Sequence, residues 1–124
     1  MLTINLTVEK DVSIITFNQD DVSENSSPLF EIDFENGDQF ESFFNKQIAK
    51  GIRNALIDLS NISYIYSYGI SIFFNFYKEL KYKGGHFKLL NPSVTLQKLL
   101  DSLRVSAFIE IYKDKDSALK SFKI

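Results

Sequence analysis

Residues Ala55-Leu56-Ile57-Asp58-Leu59 form a short apolar run holding a single acid. A run of that length reads as a strand covered on both faces, and such a strand needs partners above and below its sheet. The flanking sequence supplies them. A helix-period stretch extends from about Ser67 to Lys83, where Gly84-Gly85 stops it, and His86-Phe87-Lys88-Leu89-Leu90 reads as a further strand. Asn91-Pro92 is expected to supply an N-cap and first-turn proline for a third helix, with Leu96, Leu99, Leu100 and Leu103 on its buried side. Phe108, Ile109 and Ile111 read as a last strand, and residues 114–122 as a short closing helix.

The N-terminal part has a different period. Leu2, Ile4, Leu6 and Val8 alternate with polar residues, Glu9-Lys10-Asp11 reads as a turn, and Val12 to Phe17 as the returning strand of an antiparallel hairpin. Residues 18–28 are polar and are expected to form a mobile loop. Phe30, Ile32 and Phe34 alternate with acids as a short strand. Gly37-Asp38 is expected to open a helix running to about Lys50, with Phe40, Phe43, Phe44 and Ile48 on one face and Gly51 ending it. Strands alternating with helices imply βαβ crossovers. The expected fold is therefore α/β: a mixed, mostly parallel sheet with an N-terminal antiparallel hairpin, flanked by about four helices. A length of 124 residues fits one domain, 1–124.

Composition removes several function classes. Fourteen basic against sixteen acidic residues argue against a protein built to grip phosphate backbones, so no direct nucleic-acid binding is expected. The chain has no Cys, which excludes disulfides, thiolate metal sites and a Cys nucleophile; its one His, His86, excludes multi-His zinc sites and leaves no Ser–His–acid set to argue. The acids Asp20, Asp21, Glu24, Glu31, Asp33 and Glu35 are too irregularly spaced for a calcium loop. No glycine-rich phosphate loop occurs. The reading is a non-enzymatic protein with no metal and no cofactor. The start lacks the pattern of a signal peptide, and the most apolar stretch, Ile70 to Tyr77, is far short of the ~20 residues that span a bilayer. A cytoplasmic protein off the membrane is expected.

The stretch from Ile57 to Ile70, Ile57-Asp58-Leu59-Ser60-Asn61-Ile62-Ser63-Tyr64-Ile65-Tyr66-Ser67-Tyr68-Gly69-Ile70, resembles the signature of STAS domains, the anti-sigma factor antagonists: a hydrophobic strand ending Asp-Leu-Ser, a short loop, then an Asp-Ser-Ser/Thr-Gly-Leu turn opening a helix. Lys83-Gly84-Gly85, Leu90-Asn91-Pro92-Ser93 and the segment Phe108 to Asp114 followed by Ala118-Leu119 are similar to later landmarks of the family, so the likeness covers roughly residues 51–122. This chain departs from the pattern at Tyr66, where the family has Asp, at Tyr68, where it has Ser or Thr, and at Arg104, where relatives often carry a helix-ending Gly. Its segment 18–36 is also longer than the family's usual link.

The resemblance implies a protein–protein switch. The unmodified chain would bind an anti-sigma factor that is a serine kinase, phosphorylation of Ser67 would abolish binding, and a serine phosphatase would restore it. Tyr66, Tyr68, Gly69, Ile72 and Phe76 are the expected partner-binding residues beside the phosphoacceptor Ser67. The alternative is a STAS scaffold or accessory subunit without a phosphorylation cycle, in a stressosome-like or lipid-transport complex; a nucleotide- or lipid-binding cleft near Asp58 is a weaker third reading. Read locally, Ser67 is a helix N-cap. On the following helix Ile70, Phe73, Tyr77 and Leu80 form the core face, and Tyr68, Ile72 and Phe76 an adjacent stripe that is either more core or an exposed docking patch. Asp58 reads as an acceptor for its own loop and His86 as an exposed or edge residue.

Overall fold

The computed structural model describes residues 2–19 and 30–122. Most of the loop expected at 18–28 lies outside the described residues, as do Asp20, Asp21 and Glu24. The elements are β1 (Leu2–Glu9), β2 (Val12–Gln19), β3 (Phe30–Ile32), α1 (Phe34–Ala49), β4 (Asn54–Asp58), β5 (Ile62–Ile65), α2 (Ser67–Tyr82), β6 (His86–Leu90), α3 (Val94–Ser102), β7 (Ile111–Tyr112) and α4 (Lys115–Ser121), with a single 3-10 turn at Val105–Ala107.

The main sheet has the order β1-β2-β4-β6-β7, antiparallel between β1 and β2 and parallel thereafter. The apolar run at 55–59 is its central strand, as its composition demands. Ala55 and Ile57 face a large cluster built with Phe40 and Phe44 of α1, Phe73 and Phe76 of α2 and Leu96 of α3. Leu56, on the opposite face, packs with Val12, Ile14, Leu90 and the α4 residues Ala118 and Leu119. Phe40, Phe44, Phe73, Phe76 and Phe87 form one connected stack in the larger layer. The Phe40 and Phe44 ring centroids are 4.6 Å apart, and those of Phe44 and Phe76 4.1 Å.

Several boundaries differ from expectation. Helix α1 begins at Phe34, not at Gly37-Asp38, because Asp33 and Asn36 form a reciprocal capping box: Asn36 N donates to Asp33 Oδ1 at 3.0 Å and Asp33 N to Asn36 Oδ1 at 2.9 Å. The cap of α3 is Ser93, whose Oγ accepts from Leu96 N, so Pro92 precedes the helix instead of occupying its first turn. Leu103 lies past the end of α3 and is 49% exposed. Phe108 and Ile109 are not strand residues. Arg104 adopts a left-handed backbone (φ 59°) that turns the chain into the 3-10 segment, leaving Phe108 60% exposed and only two residues for β7. Ile62–Ile65, expected as loop, is a strand: β5 pairs in parallel with β3 in a separate two-stranded sheet.

The two adjacent glycines act for different reasons. Gly84 holds a positive φ of 82° that ends α2, with open space around it. A Cβ on Gly85 would stand 1.8 Å from the Arg53 carbonyl oxygen, which accepts from His86 N as β6 enters the sheet. Lys88 was not singled out from sequence. It is buried in β6, where its Nζ donates to the Ser121 carbonyl at 3.1 Å, pairs with Glu110 at 3.0 Å and lies 4.8 Å from the Phe122 ring centre. The hydrogen bonds from Lys88 and then Tyr112 hold the Glu110 carboxyl below its ordinary range.

Candidate functional site

The turn from β5 into α2 is built from three directions. Tyr66 N donates to the Ile32 carbonyl at 2.9 Å, which fastens the turn to β3. Gly69, in the first turn of α2, packs onto the same two strands: a Cβ there would be 2.7 Å from Ile65 Cγ2 and 2.8 Å from Ile32 Cγ2. Close approach, not a special φ, is what requires glycine at this position. On the other side Gly37 of α1 leaves room for the Tyr68 ring, because a Cβ on Gly37 would be 2.6 Å from it.

Ser67 is exposed and is the first residue of α2. The N-cap is Tyr66, with extended backbone, and its side chain makes no capping hydrogen bond. Ser67 is therefore not the cap that local reading suggests. The first turn of α2 also contains no acidic residue, so the positive end of the helix dipole meets no charge from within the helix there.

Both flanking tyrosines are tied to acids on earlier elements. Tyr66 Oη donates to Glu31 Oε2 at 3.0 Å, and Tyr68 Oη to Asp38 Oδ1 at 2.6 Å. The bond to Asp38, with partial burial and the nearby negative charge, pushes the Tyr68 phenol up to about 12; the bond to Glu31 raises that of Tyr66 in the same way. Tyr64 and Tyr66 meet edge to face at 4.8 Å. Ser67 thus sits between two aromatic side chains, each clamped by a carboxylate from the β3–α1 segment.

The expected docking stripe is corrected in part. Tyr66 is exposed and Tyr68 half-buried, whereas Ile72 is 1% exposed, Phe76 3%, and Gly69 is buried. Ile72 and Phe76 belong to the aromatic layer under the sheet, because α1 crosses over the face that sequence left open. Those three residues shape the surface from beneath. Glu31 and Asp38 are the side chains that sequence reasoning missed. Their separation from Ser67 along the chain hid them, and only the β3–β5 pairing brings Glu31 beside Tyr64 in register.

Asp58 accepts from Ser60 N at 2.9 Å and Ser60 Oγ at 2.5 Å, so its carboxylate is engaged by its own loop as expected. His86 is exposed at the start of β6. It lines an open pocket of about 300 Å³ with Lys81, Lys88, Phe108 and Glu110, at the C-terminal end of α2. Tyr77, which also lines it, is ten residues along α2 from Ser67, so at 1.5 Å per residue the nearest wall of that pocket is roughly 15 Å from the helix start. No group of acids and His suited to a metal ion occurs among the described residues, and no helix among them is long and apolar enough to cross a membrane.

A hairpin followed by parallel strands, with helices on both faces and one of them opening at an exposed serine, defines a class of small α/β modules. The STAS domain family model matches residues 30–118, and the chain belongs to that family. A protein of Thermotoga neapolitana named as a candidate anti-sigma factor antagonist is 27% identical over 94 residues, covering 75% of this chain and 83% of the relative. The crystal structure of a candidate anti-sigma factor antagonist from Thermotoga maritima superposes with a TM-score of 0.82 at 20% identity, covering 98% of this chain and 95% of the other. The Bacillus cell fate determinant SpoIIAA in its phosphorylated form superposes with a TM-score of 0.66 at 20% identity, over 96% of this chain and 98% of the other.

Proposed function

We propose that this chain, acting as a single domain, is an anti-sigma factor antagonist: a non-enzymatic switch that binds an anti-sigma factor kinase when unmodified and is released when Ser67 is phosphorylated. The observation that carries this reading is the exposed Ser67 at the first residue of α2, in the turn where the family signature keeps Ser and Gly69 but departs at Tyr66 and Tyr68. The names of the relatives and the existence of a phosphorylated SpoIIAA support it. A phosphate at this position would meet the positive end of the helix dipole, so the fold would tolerate it. It would add about −1.5 to −2 charges to a surface edged by Tyr66 and Tyr68, and a docked partner would have to desolvate that charge. A serine phosphatase would return the chain to its binding form.

One observation favours the scaffold reading. Tyr66, its hydroxyl engaged by Glu31, stands where the family has an Asp beside the acceptor. Incubation with ATP and the cognate anti-sigma kinase separates the two. The switch requires one phosphate, absent in Ser67→Ala. It also requires Ser67→Glu to lose at least about tenfold in partner affinity while melting at or above the wild-type temperature. No phosphate from a kinase shown to be active, with binding retained in Ser67→Glu, would replace the switch by the scaffold.

A further inference from the structure

We propose that β1 is a self-recognition edge, through which two copies of this chain join antiparallel about a two-fold axis at Asn5 to make one continuous sheet. Among the described residues nothing pairs with the outer side of β1, which ends the main sheet. The opposite edge, β7, has two residues and is protected by its shortness, whereas β1 has eight. Between Leu2 and Val8 it carries no charge and no proline, the usual devices that keep an open edge from pairing.

The hairpin decides which amides face outward. Its loop is the two residues Lys10 and Asp11, both with positive φ, and it is closed by the pair Glu9 and Val12. In a two-residue loop of that kind the closing pair is hydrogen-bonded, and bonding then alternates along the strand. Glu9, Thr7, Asn5 and Thr3 therefore turn their backbone groups toward β2, and Val8, Leu6, Ile4 and Leu2 turn theirs toward the open side.

The sequence of the strand is a palindrome in chemical type about its centre: Leu2-Thr3-Ile4-Asn5-Leu6-Thr7-Val8. A two-fold axis at Asn5 sets Ile4 opposite Leu6 and Leu2 opposite Val8, the residues whose amides face outward, so each pair exchanges two backbone hydrogen bonds. On the other face it sets Asn5 opposite itself, a pair that can hydrogen-bond across the axis. Asn5 and Thr7 are exposed, and Val8, an apolar side chain 62% exposed on an edge strand, would gain a cross-strand neighbour. Amide direction requires an axis centred on a residue, and the palindrome selects Asn5 among them. A two-fold contact also consumes the long edge of both copies, which closes the assembly at a dimer.

The test uses the absence of cysteine from the chain. Facing residues in a non-hydrogen-bonded antiparallel pair have Cβ atoms roughly 4.5–5.5 Å apart, within reach of a disulfide after small adjustment. Asn5→Cys should therefore crosslink to a dimer under mild oxidation. Thr7→Cys should not, because its copies would stand about four residues, roughly 13 Å, out of register. Sedimentation equilibrium should show a wild-type dimer weakened several-fold by Asn5→Lys, which places like charges on the axis, with an unchanged melting curve at low concentration. A wild-type chain that remains monomeric up to about millimolar concentration would overturn the proposal. So would a dimer in which Thr7→Cys crosslinks as fast as Asn5→Cys, or one untouched by Asn5→Lys.

Discussion

The bond between Tyr68 and Asp38 gives the candidate site a spectroscopic handle. Tyr68 Oη lies 2.6 Å from an Asp38 carboxylate oxygen, and the phenol is raised from an ordinary 10.0 to about 12. Asp38→Asn leaves a hydrogen-bonding oxygen but removes the charge, so Tyr68 should titrate much nearer 10. Gly37→Ala should do the same by another route: the added Cβ would meet the ring at 2.6 and 2.7 Å and push it off its seat. Tyrosine labelled at the phenol carbon and followed by NMR through the alkaline range reports each of the six rings separately, with Tyr68→Phe assigning the signal. The sign follows from which state holds the proton. Below pH 10 both states are protonated and the contribution is complete; between 10 and 12 the folded chain keeps a proton that the unfolded one has lost, so stability falls as pH rises. The urea midpoint should therefore fall more steeply above pH 10 in the wild type than in Asp38→Asn. Titration of Tyr68 near 10 in the wild type, or no change in Asp38→Asn, would show that the clamp is not made in solution.

The glycine pair offers a contrast in stability. Gly84→Ala should cost about 1 kcal/mol, the strain of a side chain at positive φ. Gly85→Ala must displace Arg53 or β6 and break the hydrogen bond from His86 N, costing roughly 2–4 kcal/mol, and equal melting temperatures for the two variants would refute the distinction. Arg104→Gly should raise stability by about 0.5–1 kcal/mol, since it relieves a left-handed backbone at φ 59°; a lower urea midpoint would mean the arginine side chain outweighs the strain.

The elements that could be read from sequence are those whose cause is local. The alternation of β1, the apolar run of β4, the helix stop at Gly84 and the short closing helix near residues 114–122 all rest on neighbours in the chain, and all form where the pattern puts them. The cap of α1 was also local, yet the alternation of Phe30, Ile32 and Phe34 hid it, because Asp33 can serve either a strand or a capping box. The stripe of Tyr68, Ile72 and Phe76 could not be resolved by period alone. Helical spacing says that these residues share a face, and the crossing of α1 decides that two of them are core. Strand β5 was missed for the converse reason. Four residues with two intermediate side chains carry little periodicity, and their partner β3 is distant in sequence.

The shortness of the β3–β5 ladder has a consequence for the Ser67 turn. The hairpin closes over two residues, whereas the hydrogen bond from Tyr66 N to Ile32 O and the β3–β5 ladder join segments more than thirty positions apart. The central pairings span similar distances, Ser13 to Ala55 and Asn54 to His86, but the β3–β5 ladder has three pairs with an irregularity between Phe30 and Glu31 where β4–β6 has five, so this small sheet should reopen before the central strands. Amide hydrogens of Ile62–Ile65 and Tyr66 should then exchange through local opening, at free energies below those of β4 and β6. On the function proposed above, a kinase would need Ser67 in an accessible segment, and the turn around it is held by a ladder of three residue pairs and the hydrogen bond from Tyr66 N to Ile32 O.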